Sequence, residues 1–337
     1  MPRSQCEIDF VLTWVNGDDP DWRAARERFP APDGADVRPE RYRDWGWLRW
    51  WLRGVERFAP WVRRVHLVAA GALPDWLDTA HPKLHIVRHE DILPPEALPC
   101  FNGNALEVNL HRIPGLTEQF VYFNDDMLLL RPTAPEDFFR DGKPRDMLAA
   151  QPVIANPDNP VMSSILLNDS LVISRHFRKR EVMRRNTGRW WHVGYPLKYF
   201  GYNLLETAFP QYTGFYTVHG PSPLLRRSFE ELWDLEPEPL RATTARRFRS
   251  AADVTQYLFR EWEKQRGNFV PANVERDLLY FEADDVSGAC AAVRARKRKM
   301  ICINDTGRLS DFAAARTALE GAFAAVLPEA SSFEAAP

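Results

Sequence analysis

Cysteine is scarce in this chain and scattered: Cys6, Cys100, Cys290 and Cys302 are the only four in 337 residues. No C-x-x-C pair occurs, which argues against a zinc site and against a disulfide framework. Long apolar runs are missing too, none approaching the roughly 20 residues that span a bilayer. A basic surplus is absent, with 44 Lys and Arg against 46 Asp and Glu, so phosphate-dominated binding to a nucleic acid duplex is not expected. There is no internal repeat and no low-complexity tract beyond a short Ala-rich tail. The first strand candidate begins at about Ile8, so a secretory leader is not expected, and the cytoplasm is the expected location. What the chain has instead is an ordinary globular composition with twelve Trp, read here as core filler before sugar-stacking platforms.

Strand-like and helix-like segments alternate through the first half. IDFVLTWVNGDDPDW, Ile8 to Trp22, is a β-branched and aromatic run that breaks at Asn16-Gly17, a strand followed by a loop. Residues 33 to 43 are polar with Gly and Pro and read as a mobile loop. In WGWLRWWLRGVERF, Trp47, Leu48, Trp51, Leu52, Val55 and Phe58 recur at helical spacing. That helix sets Arg49, Arg53 and Arg57 on another stripe, either a solvated face or, at Arg49, a phosphate contact. Val62–Gly71 and Leu84–Asp91 read as further strands, and Asn102 or Asn104 suits the N-cap of a short helix. The β-α-β-β-α-β order predicts an α/β sandwich. The second half is less regular. A helix is expected across AADVTQYLFREW, Ala251 to Trp262, and another from about Ser310 to Leu327. The basic segment Arg175–Arg189 reads as a solvated face or a landing strip for a polyanion or membrane surface.

The chemistry concentrates in FVYFNDDMLLLRP, Phe120 to Pro132. A buried strand runs into Asn124, Asp125 and Asp126 and resumes as an apolar run. In covered parallel sheets ligands sit at the carboxyl ends of strands, and adjacent carboxylates there supply oxygen ligands for a divalent cation; the alternative is that the two Asp cap a turn. A second strand, MICIND, ends in Asn304-Asp305. If the two tips meet, they offer three carboxylates and two amide carbonyls to one spot, a set that suits Mg²⁺ with substrate phosphate. HGPSPLLR places His219 in a Pro- and Gly-bounded loop with Arg226 seven residues on. RFRSAADV sets Arg247 and Arg249 before a helix start with Asp253 in its first turn. Each of these singletons has a purely structural reading as well.

Together these blocks resemble the Stealth family, which includes bacterial capsular polysaccharide phosphotransferases and the catalytic subunit of GlcNAc-1-phosphotransferase. Its four blocks are matched in order by IDFVLTWVNGDDPDW; by RYRDWGWLRWWLRGVERFAPWVRRVHLV through FVYFNDDMLLLRP; by HGPSPLLR with RFRSAADVTQYLF; and by RKMICIND. Coverage runs from about Glu7 to Leu327.

The resemblance implies a GT-A-like, Rossmann-like nucleotide-sugar transferase sandwich with a more helical C-terminal half. It is expected as a single catalytic domain over 1–330: a nucleotide-sugar-binding core at 7–150, an acceptor or lid region at 151–300, a final strand and helix at 300–327 and a tail at 328–337. The implied reaction moves a hexose-1-phosphate, such as GlcNAc-1-phosphate, from a UDP-sugar to a glycan hydroxyl and releases UMP, in capsular or cell-wall polysaccharide synthesis. The alternatives are a metal-dependent glycosyltransferase that releases UDP and a non-catalytic carbohydrate-binding protein. Under the resemblance Trp14, Asn16 and Gly17 hold the uridine. Asp125, Asp126, Asp305 and Asn304 hold Mg²⁺ or Mn²⁺, directly or through water. Arg249, with Arg49 or Arg226, stabilises the transferring phosphate; Asn102, Asn104 and Asn124 contact sugar or phosphate oxygens; His219 is the general base. Cys100 stands where Thr is expected and Gly103 where Ser is usual, which leaves the sugar open. The inserted modules of the animal enzyme are missing, so a polysaccharide or oligosaccharide acceptor is expected over a protein. No nucleic acid partner is expected, and contact with the inner membrane face or capsule assembly machinery is a further expectation.

Overall fold

The computed structural model describes residues 7–335; Cys6 lies outside them. Among the described residues there are eleven strands: β1 (Ile8–Val15), β2 (Val65–Ala70), β3 (Leu84–Val87), β4 (Gln119–Phe123), β5 (Met127–Leu129), β6 (Phe139–Arg140), β7 (Lys143–Asp146), β8 (Ser222–Leu225), β9 (Val270–Pro271), β10 (Leu278–Glu282) and β11 (Met300–Asn304). They form a five-stranded sheet in the order β3-β2-β1-β4-β8, a three-stranded sheet β10-β11-β5 and a small sheet β6-β7-β9. In the large sheet β1 to β4 are parallel, and β8 closes the edge antiparallel to β4. This is the α/β architecture with a largely parallel sheet that the strand runs predict.

Covering on both faces explains why these strands read as unbroken apolar runs rather than alternations. Phe10, Leu12 and Trp14 of β1 face one core cluster with Val121 and Phe123 of β4. Val11, Phe120 and Tyr122 face a second cluster with Phe229, Phe259 and Trp262. The helix Leu48–Phe58 buries Leu48, Trp51, Leu52, Val55 and Phe58, the stripe its periodicity predicts. Gly54 lets it lie close to β5, since a Cβ there would stand 3.2 Å from the Leu129 carbonyl oxygen. The final helix, Phe312–Val326, buries Leu319 and Phe323 as expected.

Several expectations change. The arginine stripe of the helix Leu48–Phe58 is only partly solvated, with Arg57 exposed and Arg49 and Arg53 half-buried, and none of the three lines the cavity where a phosphate would sit. Arg53 makes two bonds to Glu334, at 2.6 and 2.9 Å, Arg49 lies 3.3 Å from the same carboxylate, and Arg57 donates to the Val326 carbonyl. The stripe therefore pins the C-terminal segment. The helix expected from Ala251 begins only at Tyr257, because Asp253 is buried in the preceding loop as a hydrogen-bond acceptor. Residues 33 to 43 are tied down, with Arg38 and Arg41 both bonded to the Asp36 carboxylate. In the basic segment Lys179 is fully buried, 2.5 Å from the Glu206 carboxylate, whereas Arg178, Arg180, Arg184 and Arg185 are exposed.

Candidate active site

The turn Asn124–Asp126 joins the two sheets. It leaves β4 in the large sheet, closes with a Met127 N–H to Asn124 carbonyl bond of 3.1 Å, and enters β5 in the smaller one. Because β5 runs antiparallel to β11, with Met127 opposite Cys302, the end of β11 arrives beside the turn. The Ile303 N–H donates to the Asp126 carbonyl at 2.9 Å, and Asn304 and Asp305 follow at once. The two Asn-Asp tips thus line one cavity of about 820 Å³, with Asn124, Asp125, Asp126, Asn304 and Asp305 all in its wall. Its size is that of a small-molecule site.

Negative charge is crowded at this end. Burial pushes the Asp125 carboxyl up to about 8, with Asp126, Asp44 and Asp305 adding repulsion. Asp44, which accepts from the Trp14 indole at 3.4 Å, is raised by burial as well. Asp305 is the best compensated, accepting from Arg43 and from the Trp45 indole, each at 3.1 Å. One oxygen of Asp126 and the side-chain carbonyl of Asn124 are buried without a partner. Orphaned hard oxygens among mutually repelling carboxylates fit a divalent cation, which would satisfy the first and relieve the second.

His219 reaches the same point from the antiparallel edge strand. Since Ser222 of β8 pairs with Tyr122, the residues just before β8 lie at the carboxyl end of β4. The His219 Nε2–H donates to Asp126 Oδ2 at 3.0 Å, and Nδ1 lies 2.8 Å from the Tyr257 hydroxyl. Burial disfavours charge on the ring, but the Asp126 carboxylate outweighs it and the pKa is raised. Cys302 Sγ also contacts Asp126 Oδ2, at 3.4 Å, so ligand atoms of Asp126, His219 and Cys302 fall within 4.8 Å of one another. Burial drives the thiol well above its usual range. The Cys302 thiol donates to the Asp126 carboxylate, and the partnerless oxygens nearby are those of Asp126 and Asn124.

Positive charge lines another part of the wall. The Arg249 guanidinium makes no hydrogen bond or ion pair among the described residues, although its backbone is fixed by an Asp36 N–H bond of 2.9 Å. Arg41 lies near enough for its pKa to fall to about 10, through burial first and Arg249 second. Two guanidiniums held close, one uncommitted, form a site for an anion such as phosphate.

The remaining expected residues divide. Trp14, Asn102 and Asn104 line the cavity. Asn102 caps the helix Gly103–Glu107 by accepting from the Asn104 N–H, and both amides donate to Asp253, at 3.0 and 3.1 Å. Asn16 and Gly17 are outside the wall and shape the turn behind it; a Cβ on Gly17 would come within 1.8 Å of the Tyr42 carbonyl oxygen. Arg49 lies over the Trp76 ring beside Glu334, away from the cavity. Arg226 is at the wrong end of β8: Leu225 pairs with Gln119 at the start of β4, and the arginine points to Glu230, 3.6 Å away. Arg41, Arg43, Asp44, Tyr257 and Cys302 were missed. RYRDW carried the only signal, an alternation of charge directly before the helix.

Residues 7–29 match the model of Stealth protein CR1, conserved region 1, and residues 41–146 that of Stealth protein CR2, conserved region 2. Over 331 residues the chain is 34% identical to the capsular polysaccharide phosphotransferase WcwK of Streptococcus pneumoniae, covering 97% of this chain and 98% of that one. The chain belongs to the Stealth family. The receptor polysaccharide phosphotransferase WefC of Streptococcus oralis is 35% identical, with 97% and 99% of the two chains covered. The exopolysaccharide phosphotransferase cps2G of Lactiplantibacillus plantarum is 34% identical, with 97% and 96% covered. Mouse xyloside xylosyltransferase 1, in its apo form, superposes over 88% of this Stealth chain and 98% of its own, at a TM-score of 0.36 and 14% identity. No helix among the described residues of this Stealth protein is long and apolar enough to cross a membrane.

Proposed function

We propose that this Stealth protein is a phosphotransferase of polysaccharide synthesis that moves a hexose-1-phosphate from a UDP-sugar to a hydroxyl of a glycan acceptor. The observation that carries this reading is the pairing, in one cavity, of an oxygen-donor cluster at Asp125 and Asp126 with the uncommitted Arg249. The near full-length likeness to named polysaccharide phosphotransferases supports it.

In the proposed reaction the acceptor oxygen attacks the phosphorus nearer the sugar. The bond from that phosphorus to the bridging oxygen breaks, UMP departs with the electron pair, and the new phosphodiester joins sugar and acceptor. Positioning and charge neutralisation do most of such catalysis. Arg249, with Arg41 beside it, binds the phosphoryl oxygens and stabilises their charge as the bond breaks. His219 takes the acceptor proton at Nδ1, where the acceptor hydroxyl displaces the Tyr257 hydroxyl, while Asp126 orients the ring from Nε2 and stabilises the imidazolium. Trp14 sits where it can pack against the donor, and Asn102, Asn104 and Asn124 offer polar groups to the sugar. Mg²⁺ or Mn²⁺, held by Asp125, Asp126, Asn304 and Asp305, would supply charge neutralisation on the diphosphate. Segment 151–300 presents the acceptor to the 7–150 core, a reading supported by Gln151, Val153 and Met162 in the cavity wall.

The nucleotide product tests the proposal. Incubation with UDP-sugars, Mg²⁺ and a glycan acceptor should release UMP and give a phosphodiester signal in phosphorus NMR, and Asp126→Asn should abolish both. Release of UDP would mean transfer of the sugar alone and would overturn the reading.

A further inference from the structure

The helix Leu197–Glu206 is amphipathic in the wrong direction for a water-facing surface. Its inward face holds Tyr199, Asn203 and Glu206, all buried. Each is satisfied: Asn203 accepts from the Ala150 N–H and donates to the Trp190 carbonyl, both at 2.8 Å, Glu206 accepts from Lys179, and the Tyr199 hydroxyl donates to Glu275. The apolar residues point outward. Leu197 is 81% exposed, Leu204 65% and Leu205 53%, with Tyr202 beside them and Val193 and Phe209 exposed on either flank. Contiguous apolar exposure of this kind marks an interaction surface.

The stretch of chain that includes it is rich in cations, of which Arg175, Arg178 and Lys198 are paired with Glu236, Glu181 and Glu275. Residues 175 to 211 carry eight Lys and Arg against two Glu. One of each is removed by the buried Lys179–Glu206 pair, which also packs the helix Lys179–Arg185 against the end of the apolar one. Arg180 and Arg184 are exposed and make no ion pair among the described residues. A polyanionic glycan would account for these arginines but leaves the leucines in water. An acyl and headgroup boundary accounts for both, the apolar face entering it and the cations meeting anionic headgroups.

We propose that the outer face of the helix Leu197–Glu206, together with the exposed Arg180 and Arg184 of the helix tied to its end through Lys179, docks the protein onto an anionic lipid bilayer. The connection to the cavity is short. Glu206 accepts from the Thr213 hydroxyl, and the Thr213 carbonyl accepts from the Val153 N–H at 3.1 Å. Val153 and the exposed Ile154 line the cavity. Docking through this face holds the cavity rim at the membrane surface, within reach of an acceptor anchored there.

The test is co-sedimentation of the full chain with vesicles of phosphatidylcholine containing phosphatidylglycerol, against vesicles of phosphatidylcholine alone. The protein should sediment with the first, be released by added salt, and stay largely in solution with the second. Arg180→Gln with Arg184→Gln should weaken binding roughly 30-fold, from the usual contribution of a basic residue near an anionic surface. Leu197→Ser with Leu204→Ser and Leu205→Ser should abolish it. All five positions are exposed, and unchanged melting temperatures would show that the variants fold. Equal sedimentation of the variants and the parent, or no sedimentation with anionic vesicles at low salt, would overturn the proposal. So would a parent that elutes as a dimer and becomes monomeric in the leucine variant, which would make the face a contact between copies. UMP release with a soluble acceptor is read in parallel, so failure of membrane docking and failure of the proposed reaction are told apart.

Discussion

Replacing Arg249 by alanine separates catalysis from folding more cleanly than any other change at this site. The guanidinium makes no hydrogen bond or ion pair among the described residues; it disfavours the charge on its neighbour Arg41 and favours the ionised form of the buried Glu107. Its loss breaks no hydrogen bond and removes a repulsion from Arg41 together with an attraction to the buried Glu107, two opposing effects, so stability should change by no more than about 1 kcal/mol. Activity should respond very differently. A guanidinium making one or two charge-assisted bonds to the transferring phosphate contributes roughly 3–4 kcal/mol to the transition state, a loss of about 10²- to 10³-fold in rate. Steady-state kinetics measured by UMP release would partition the effect. A fall in kcat with KM nearly constant places the interaction in the transition state, whereas a rise in KM alone places it in donor binding. Lysine should restore only part of the rate, because an ammonium lacks the bidentate fork. Turnover close to that of the parent enzyme, in a variant with an unchanged melting temperature, would refute the assignment of Arg249 to the phosphate.

Acid should weaken the fold through Asp9, at the amino end of β1. Its carboxylate is fully buried and accepts from Arg63 and His66, and these bonds outweigh burial and hold its pKa at about 2. A depressed carboxylate stabilises the fold fully above its unfolded pKa near 4, so about 2 kcal/mol should disappear as pH falls from about 4 to 2. Urea midpoints across that window measure it, and Asp9→Asn should flatten the slope. Lys179→Met leaves the Glu206 carboxylate buried without its cation and should cost about 3–5 kcal/mol in chemical denaturation, while the double change to Met and Leu should recover much of the loss.

The elements legible in the sequence are those whose signal is periodic and local. The strands β1, β2 and β4 and the helices Leu48–Phe58 and Phe312–Val326 each carry a run or stripe that survives folding unchanged. The meeting of Asn124–Asp126 with Asn304–Asp305 was legible because both are polar breaks at the ends of buried strands. Arg41, Arg43 and Asp44 were not, since they sit in irregular chain whose path is set by Asp36 and Asp305 rather than by any repeat. Arg49 and Arg226 misled for a related reason. Spacing tells which face of a helix or which end of a strand a residue occupies only after its neighbours are known, and here those neighbours are Glu334 and Gln119.

The turn at Asn124 has a mechanical corollary. Because the chain passes from one sheet to the other within three residues, the acidic pair works as a rivet between two stiff plates. Tilting either plate alters the spacing of the carboxylates directly, with no intervening side chain to absorb the movement. Packing changes far out along β1 or β10 should therefore reach the oxygens proposed to hold the cation as changes in distance, and tuning of this catalyst need not touch its cavity at all.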